Sequence, residues 1–199
     1  MTCLCITRNR RQWLPKAIAN YRALRHASSE LLIIADGDDV RDLVPEHDPR
    51  IRLIHVEEPN TVGDKRNYGC ERARGFLIAH WDDDDYSAPD RIRAQVRTLA
   101  ASGKSVTGFR SMRFTDGDSW WMYSGDENFA LGTSLMYRRG WWERNRFMSL
   151  QVGEDNYFVN EAAGAGELVT AEAGDLMYAT LHPQNTSPKN KGSAWTRIT

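Results

Sequence analysis

Phe76-Leu77-Ile78-Ala79-His80-Trp81-Asp82-Asp83-Asp84-Asp85 is the stretch on which the fold turns. Its first six residues carry no acidic or basic alternation. A short run of this kind reads as a strand covered on both faces, as in a parallel sheet. It then ends in four consecutive aspartates. Carboxylates a few ångströms apart repel by about 1 kcal/mol per pair even in water, so at the end of a buried strand they need a cation or many donors. Two further strands end the same way. Cys3–Thr7 runs into Thr7-Arg8-Asn9-Arg10, and Glu30–Ala35 runs into Asp36-Gly37-Asp38-Asp39. In an open α/β sheet, ligands sit beyond the carboxyl ends of the strands. Three polar clusters at three such ends locate a site.

Outward from these strands the chain alternates. Trp13 to His26 carries apolar residues at helical spacing, Ile51–Val56 reads as a strand, and Val62 to Arg74 reads as a helix stopped by Gly75. Ser87-Ala88-Pro89-Asp90 has the form of a capping box opening a helix through Ile92, Val96 and Leu99. Strands alternating with helices imply parallel pairing through right-handed crossovers. The second half is mixed. Strands are expected at Ser105–Phe114, Ser119–Ser124 and Thr133–Arg138, with a turn at Asp116-Gly117-Asp118. A short aromatic helix at Gly140–Asn145, a helix from about Glu154, and strands near Val169 and Tyr178 complete the expectation. The 199 residues suit one domain, with residues 1–103 forming one half and 104–199 the other.

Composition narrows the function classes. Lys plus Arg number 26 against 27 Asp plus Glu, a net charge of −1, which gives no support to a wrapper of nucleic acid. No apolar run approaches the ~20 residues of a membrane span, and the first residues lack a basic, then apolar, leader pattern. A cytoplasmic location is the expectation. The three cysteines, Cys3, Cys5 and Cys70, form neither a disulfide framework nor a zinc-ligand pattern. Cys3 and Cys5 fall on one face of a strand, as core residues. In an extended strand end, Asp82 and Asp84 also point one way, and their oxygens suit one hard divalent cation, Mg²⁺ or Mn²⁺.

Further motifs lie in order along the chain. Thr7-Arg8-Asn9-Arg10 is similar to a Thr-x-Asn-Arg opening, with Ile6 where proline is common. Ile34-Ala35-Asp36-Gly37-Asp38 is similar to an Asp-Asp-Gly-Ser turn, with Ala35 replacing the first aspartate. Asp64-Lys65-Arg66-Asn67-Tyr68-Gly69 is similar to an Ala-Arg-Asn-x-Gly helix. His80–Asp85 with Pro89 matches an Asp-x-Asp strand end, and Gly153-Glu154-Asp155 a Glu-Asp helix start. Tyr178 through His182 to Asn185-Thr186-Ser187 is similar to an Arg-His-x-x-Asn-Thr segment, with Thr180-Leu181 departing from the usual arginine. With these six elements the chain resembles a family 2 glycosyltransferase of the GT-A fold over most of its length.

The resemblance implies an α/β, Rossmann-like single domain with a mostly parallel central sheet flanked by helices and a mixed acceptor-side half. It implies metal-dependent, inverting sugar transfer from a nucleotide-diphosphate donor, a UDP-sugar in the first instance, to an acceptor hydroxyl. Thr7, Asn9, Arg10, Asp36, Arg66, Asn67, Asp82, Asp83 and Asp84 then fall on the donor side. Asp36 would take the N3–H of a uracil-type base, and Arg66 would reach a phosphate or ribose. Asp82 and Asp84, with His182, would hold the metal. Asp155 would be the general base, with Glu154 as its competitor. A glycan precursor, a small molecule and a hydroxymethylated DNA base all stay open as acceptors, and a catalytically inactive nucleotide-sugar binder is the alternative. The basic tail 188–199, with Lys189, Lys191 and Arg197, is a lid over the diphosphate or a frayed end. Among Trp120, Trp121, Tyr123, Trp141, Trp142 and Trp195, about half belong to the core, and at least one lines the acceptor side.

Overall fold

The computed structural model describes all residues except 27, 58–60, 188–190 and 199. Lys189 therefore lies outside the described residues. The first half builds β1 (Thr2–Arg8), α1 (Leu14–Arg22), β2 (Glu30–Asp36), β3 (Ile51–His55), α2 (Val62–Arg72), β4 (Leu77–His80) and, after an intervening short strand, α3 (Arg91–Ser102). The four strands pair in parallel in the order β3-β2-β1-β4. From β1 the chain steps outward to β2 and β3, and α2 then carries it back to place β4 on the other side of β1. That reversal opens a crevice beyond the carboxyl ends of β1 and β4.

Every residue of β2 is buried because helices cover both of its faces. Leu31, Ile33 and Ala35 pack with Leu14, Ile18 and Tyr21 of α1 and with Ile92 and Leu99 of α3. Leu32 and Ile34 face the other way, into a cluster with Cys70, Trp141, Trp142, Phe147 and Phe158. Cys3 and Cys5 share the first face, as their spacing requires. All three thiols are free and buried, and burial pushes those of Cys3 and Cys70 up to about 12.

The second half contains β5 (Tyr86–Ser87), β6 (Val106–Thr115), β7 (Trp120–Ser124), β8 (Met136–Arg138), α4 (Arg139–Arg144), α5 (Glu154–Gly164), β9 (Leu168–Glu172), β10 (Met177–Thr180) and β11 (Trp195–Ile198). β8 lies antiparallel between β4 and β6, so one sheet continues through both halves. β7 and β11 extend it antiparallel, whereas β9 and β10 pair in parallel with successive stretches of β6. Parallel pairing dominates the first half, and the second half is mixed. Among the described residues, no helix is long and apolar enough to cross a membrane.

Several local expectations are corrected. The Ser87/Asp90 capping box does not form: Ser87 is taken into β5 against β10, and α3 starts at Arg91 without a side-chain cap. A capping box does open α2, where Thr61 and Asp64 exchange hydrogen bonds; aspartate in place of glutamate at its third position hid it. Gly75 is not the stop of α2, which ends at Arg72. A side chain at Gly75 would put its Cβ 2.4 Å from the Met1 carbonyl carbon and the Thr2 nitrogen, so glycine is there for a close backbone approach. Of Thr133–Arg138 only the last three residues are strand, and Gly132–Ser134 is a 3₁₀ turn. Residues 195–198 of the tail are not frayed, since β11 pairs with β7 from Trp195↔Tyr123 to Ile198↔Trp120.

Glu30 ties the start of the sheet together. Its carboxylate accepts from Thr2 Oγ1 at 2.7 Å, from the Arg74 amide at 2.6 Å and from Arg52 Nη1 at 2.8 Å. Burial acts to raise its pKa, but these donors outweigh it and hold the carboxyl below its ordinary value. A depressed folded pKa contributes stability above the unfolded pKa that is lost as pH falls through the folded one. Glu30→Gln is therefore expected to lose about 2 kcal/mol at neutral pH. The gap to the parent should narrow below about pH 4. Urea titrations across that range check it, and a gap that widens on acidification would contradict the assignment.

Candidate active site

A cleft of about 240 Å³ opens at the crevice between β1 and β4. Arg10 and Asp82–Asp85 line it from the sheet side. The turn at Leu131–Thr133, the start of α5 at Glu154 and Asp155, and the segment around Thr180 and Asn185 complete its walls.

The four aspartates divide, Asp83 apart from the other three. Strand geometry ends at His80, so simple alternation no longer governs the directions of 82–85. Asp83 turns back into the protein and accepts from Thr7 Oγ1 at 2.6 Å and Arg10 Nη1 at 2.9 Å. Burial, with the charge of Asp84 adding, pushes its carboxyl up to about 6 despite those donors. Asp83 and Thr7 thus brace the loop, although both were expected on the donor. Asp82, Asp84 and Asp85 converge, each offering an oxygen within 4.8 Å of the others. Among the described residues Asp82 makes no hydrogen bond. Asp84 Oδ2 accepts from Arg10 Nη1 at 2.9 Å, His182 Nε2 at 2.9 Å and Asn185 Nδ2 at 3.3 Å. Asp85 accepts from Thr133 Oγ1 and from the Thr180 amide at 3.0 Å. Burial, with the charges of Asp84 and Asp82 adding, drives its carboxyl well above the ordinary range. Three hard oxygen donors in a crowded anionic cluster fit a divalent cation such as Mg²⁺ or Mn²⁺.

His182 reaches the cluster through Asp84. Its Nδ1 accepts from the Gln184 amide at 3.2 Å, which puts the proton on Nε2 and makes the ring a donor to Asp84. In this wiring it braces Asp84, with Nε2 at the edge of the acidic cluster. The ring stacks on Trp13, with centroids 4.5 Å apart.

The remaining expected donor-side residues separate. Asp36 Oδ1 accepts from Lys65 Nζ at 2.8 Å, while its Oδ2 is buried without a hydrogen-bond partner. Asp36 stands outside the lined cleft, at the end of β2. Asn9 adopts a left-handed backbone, with φ of 52°, and accepts from the Asp38 amide at 3.1 Å, bracing the turn. Asn67 is tied into the packing: Oδ1 accepts from Trp142 Nε1 at 2.9 Å and the Phe147 amide at 3.1 Å, and Nδ2 donates to the Phe147 carbonyl at 2.8 Å. Arg10 bridges Asp83 and Asp84 and also donates to the Gln184 carbonyl, which pins the 182–185 segment against the cleft.

Glu154 and Asp155 part company at the start of α5. Glu154 is buried and accepts from Arg66 Nε at 3.0 Å. Burial raises its pKa and the Arg66 charge opposes this, with a net upward shift. Arg66 Nη1 is buried on the cleft wall without a hydrogen-bond partner. Asp155 faces the cleft and accepts at Oδ1 from the Asn156 amide at 2.9 Å. Asp85, Thr133 and Thr180 complete the site without having been foreseen. Asp85 lay in plain view within the acidic run and Thr180 within the segment that leads to His182, whereas no local pattern marks Thr133.

The model of glycosyl transferase family 2 matches residues 2–163. The succinoglycan biosynthesis protein ExoO of Rhizobium meliloti is 34% identical over 94 residues, 46% of this chain and 27% of that protein. An uncharacterized glycosyltransferase of Rickettsia felis is 36% identical over 95 residues, 46% of this chain and 16% of that protein. The chain is thus matched to a minor part of the length of these relatives. Among solved structures, residues 1–349 of S. aureus TarS superpose with a TM-score of 0.74 at 15% identity, over 90% of this chain and 60% of that one. The mannosyltransferase PcManGT of Pyrobaculum calidifontis, in complex with GDP-Man and Mn²⁺, gives 0.71 at 16% identity, over 90% and 56%. At such identities the likeness shows the GT-A fold alone. The sequence match spans most of the residues that build the sheet and the cleft, and the chain belongs to glycosyl transferase family 2.

Proposed function

We propose that the chain transfers a sugar from a nucleotide-diphosphate donor to an acceptor hydroxyl with inversion at the anomeric carbon. One observation carries the reading: Asp155 and the Asp82/Asp84/Asp85 cluster line the same cleft, while Glu154 is committed to Arg66. Asp155 takes the proton of the acceptor hydroxyl as it attacks the sugar from the face opposite the leaving diphosphate. Asp82, Asp84 and Asp85 would hold a divalent cation, Mn²⁺ or Mg²⁺, which when bound neutralises charge on that diphosphate. Arg66 Nη1, lacking a protein acceptor, is suited to a phosphate oxygen. Asp36 Oδ2, buried without a hydrogen-bond donor and 3.6 Å from Arg8 Nη1, is suited to an N–H of the nucleobase. A TarS structure is described with UDP-GlcNAc and PcManGT with GDP-Man, so both uracil and guanine donors belong in the test. The acceptor is proposed only as a hydroxyl-bearing molecule, whether glycan precursor, small molecule or modified DNA base.

Thermal unfolding with UDP, GDP, CDP or dTDP, each with and without Mn²⁺, tests the donor half. Saturation about a hundredfold above Kd adds ~2.7 kcal/mol, enough to raise Tm by several degrees. Because Asp82 makes no hydrogen bond among the described residues, Asp82→Asn should fold as the parent does and lose the Mn²⁺-dependent part of the shift. No shift with any nucleotide, or an undiminished metal effect in Asp82→Asn, contradicts the assignment.

A further inference from the structure

We infer that Gly132 is a positioning residue for Asp155, and that the turn Gly132–Ser134 sets this carboxylate in register with Asp85. The inference rests on the proposed role of Asp155. A Cβ at Gly132 would lie 1.6 Å from Asp155 Oδ2 and 2.5 Å from its Cγ. The space that any other residue needs for its side chain is occupied by the carboxylate. Gly132 is not among the glycines with positive φ, so its absent side chain, not its backbone freedom, is what the position uses. The next residue, Thr133, donates through Oγ1 to Asp85 Oδ2. One turn therefore touches the proposed base with one residue and the acidic cluster with the next.

The turn is held from beneath. His80 Nδ1 donates to the Gly132 carbonyl at 2.6 Å, Arg91 Nη2 to the Thr133 carbonyl at 3.4 Å and Gln95 Nε2 to the Ser134 carbonyl at 2.7 Å. Three successive carbonyls are each met by a different side chain, and all three side chains are at most 2% exposed. Ser134 Oγ closes the turn by donating to the Leu131 carbonyl and accepting from the Phe109 amide, both at 2.7 Å. Such clamping supports a fixed separation between base and cluster, the condition under which a misplacement of about 1 Å costs ~10²-fold in rate.

Hydrolysis of UDP-glucose, UDP-GlcNAc or GDP-mannose with Mn²⁺, using whichever donor the full chain turns over, reads the effect. Water stands in for the acceptor hydroxyl: it takes the sugar and gives its proton to Asp155 as nucleoside diphosphate leaves. Gly132→Ala should lower kcat about a hundredfold with donor KM nearly unchanged, because the Cβ displaces Asp155 and leaves the cluster in place. In an Asp155→Asn background the same substitution should cost little more, since it acts through that carboxylate. If Gly132→Ala does not fold, the His80 pair decides. His80→Asn keeps an N–H near the Nδ1 position and should retain several-fold more kcat than His80→Leu. Parental kcat in Gly132→Ala, full additivity with Asp155→Asn, or equal losses in the two His80 variants would overturn the inference. An Asp155→Asn variant as active as the parent would instead sink the proposed role of Asp155, and a parent that turns over none of the donors would sink both.

Discussion

Asp155→Asn should reduce kcat by about 10³-fold while leaving donor KM within a few-fold of the parent. Asparagine preserves the size of the side chain and the hydrogen bond from the Asn156 amide, but it cannot accept a proton from the acceptor hydroxyl. The cluster of Asp82, Asp84 and Asp85 is untouched, so nucleotide binding should persist. Steady-state kinetics and nucleotide-induced thermal shifts on the same preparation separate the two quantities. A parental kcat with any productive donor would remove Asp155 from the mechanism and favour a protein that binds nucleotide sugars without turning them over.

Arg66→Met should destabilise the fold by about 3–5 kcal/mol, because it leaves the Glu154 carboxylate buried without its partner. Arg66 is 5% exposed and Glu154 4%, with Nε and Oε1 3.0 Å apart, so water offers little compensation. The sign with pH follows from the direction of the shift. The carboxyl of Glu154 is already raised by burial, and loss of the guanidinium raises it further. A carboxyl with a raised folded pKa costs stability where the unfolded chain would ionise, so the deficit should grow from about pH 5 to pH 8. Arg66→Met/Glu154→Gln should recover much of the loss, since it removes the orphaned charge. Denaturant unfolding measures all three proteins. A deficit below about 1 kcal/mol, or one that shrinks as pH rises, would mean that the pair is not buried as described.

This pair also explains why one of two adjacent acids is the better base candidate. Glu154 and Asp155 are equivalent as letters in a helix start, and only their different directions separate them. Asn67 and Asn9 teach the same lesson. Each stands in a segment similar to a donor-binding motif, yet Asn67 spends its oxygen and one N–H on Trp142 and Phe147, and Asn9 spends its oxygen on Asp38.

By itself the sequence determined the parallel half-sheet, the two core faces and the strand ends where a ligand would sit. These are local properties: an apolar run covered on both sides and a polar cluster directly after it report on neighbours a few residues away. It also determined the acidic run and the six ordered motifs that point to family 2. The tertiary structure alone decided that Asp85 joins Asp82 and Asp84 while Asp83 does not. Once the chain leaves extended geometry after His80, the directions of Asp83, Asp84 and Asp85 depend on partners 48 to 101 residues away, among them Thr133, Thr180, His182 and Asn185. It alone decided that Asp83 turns inward to Thr7, that Glu154 is consumed by Arg66, and that Gly132 makes room for Asp155. Such outcomes arise from long-range packing and charge pairing, which carry no periodicity along the chain.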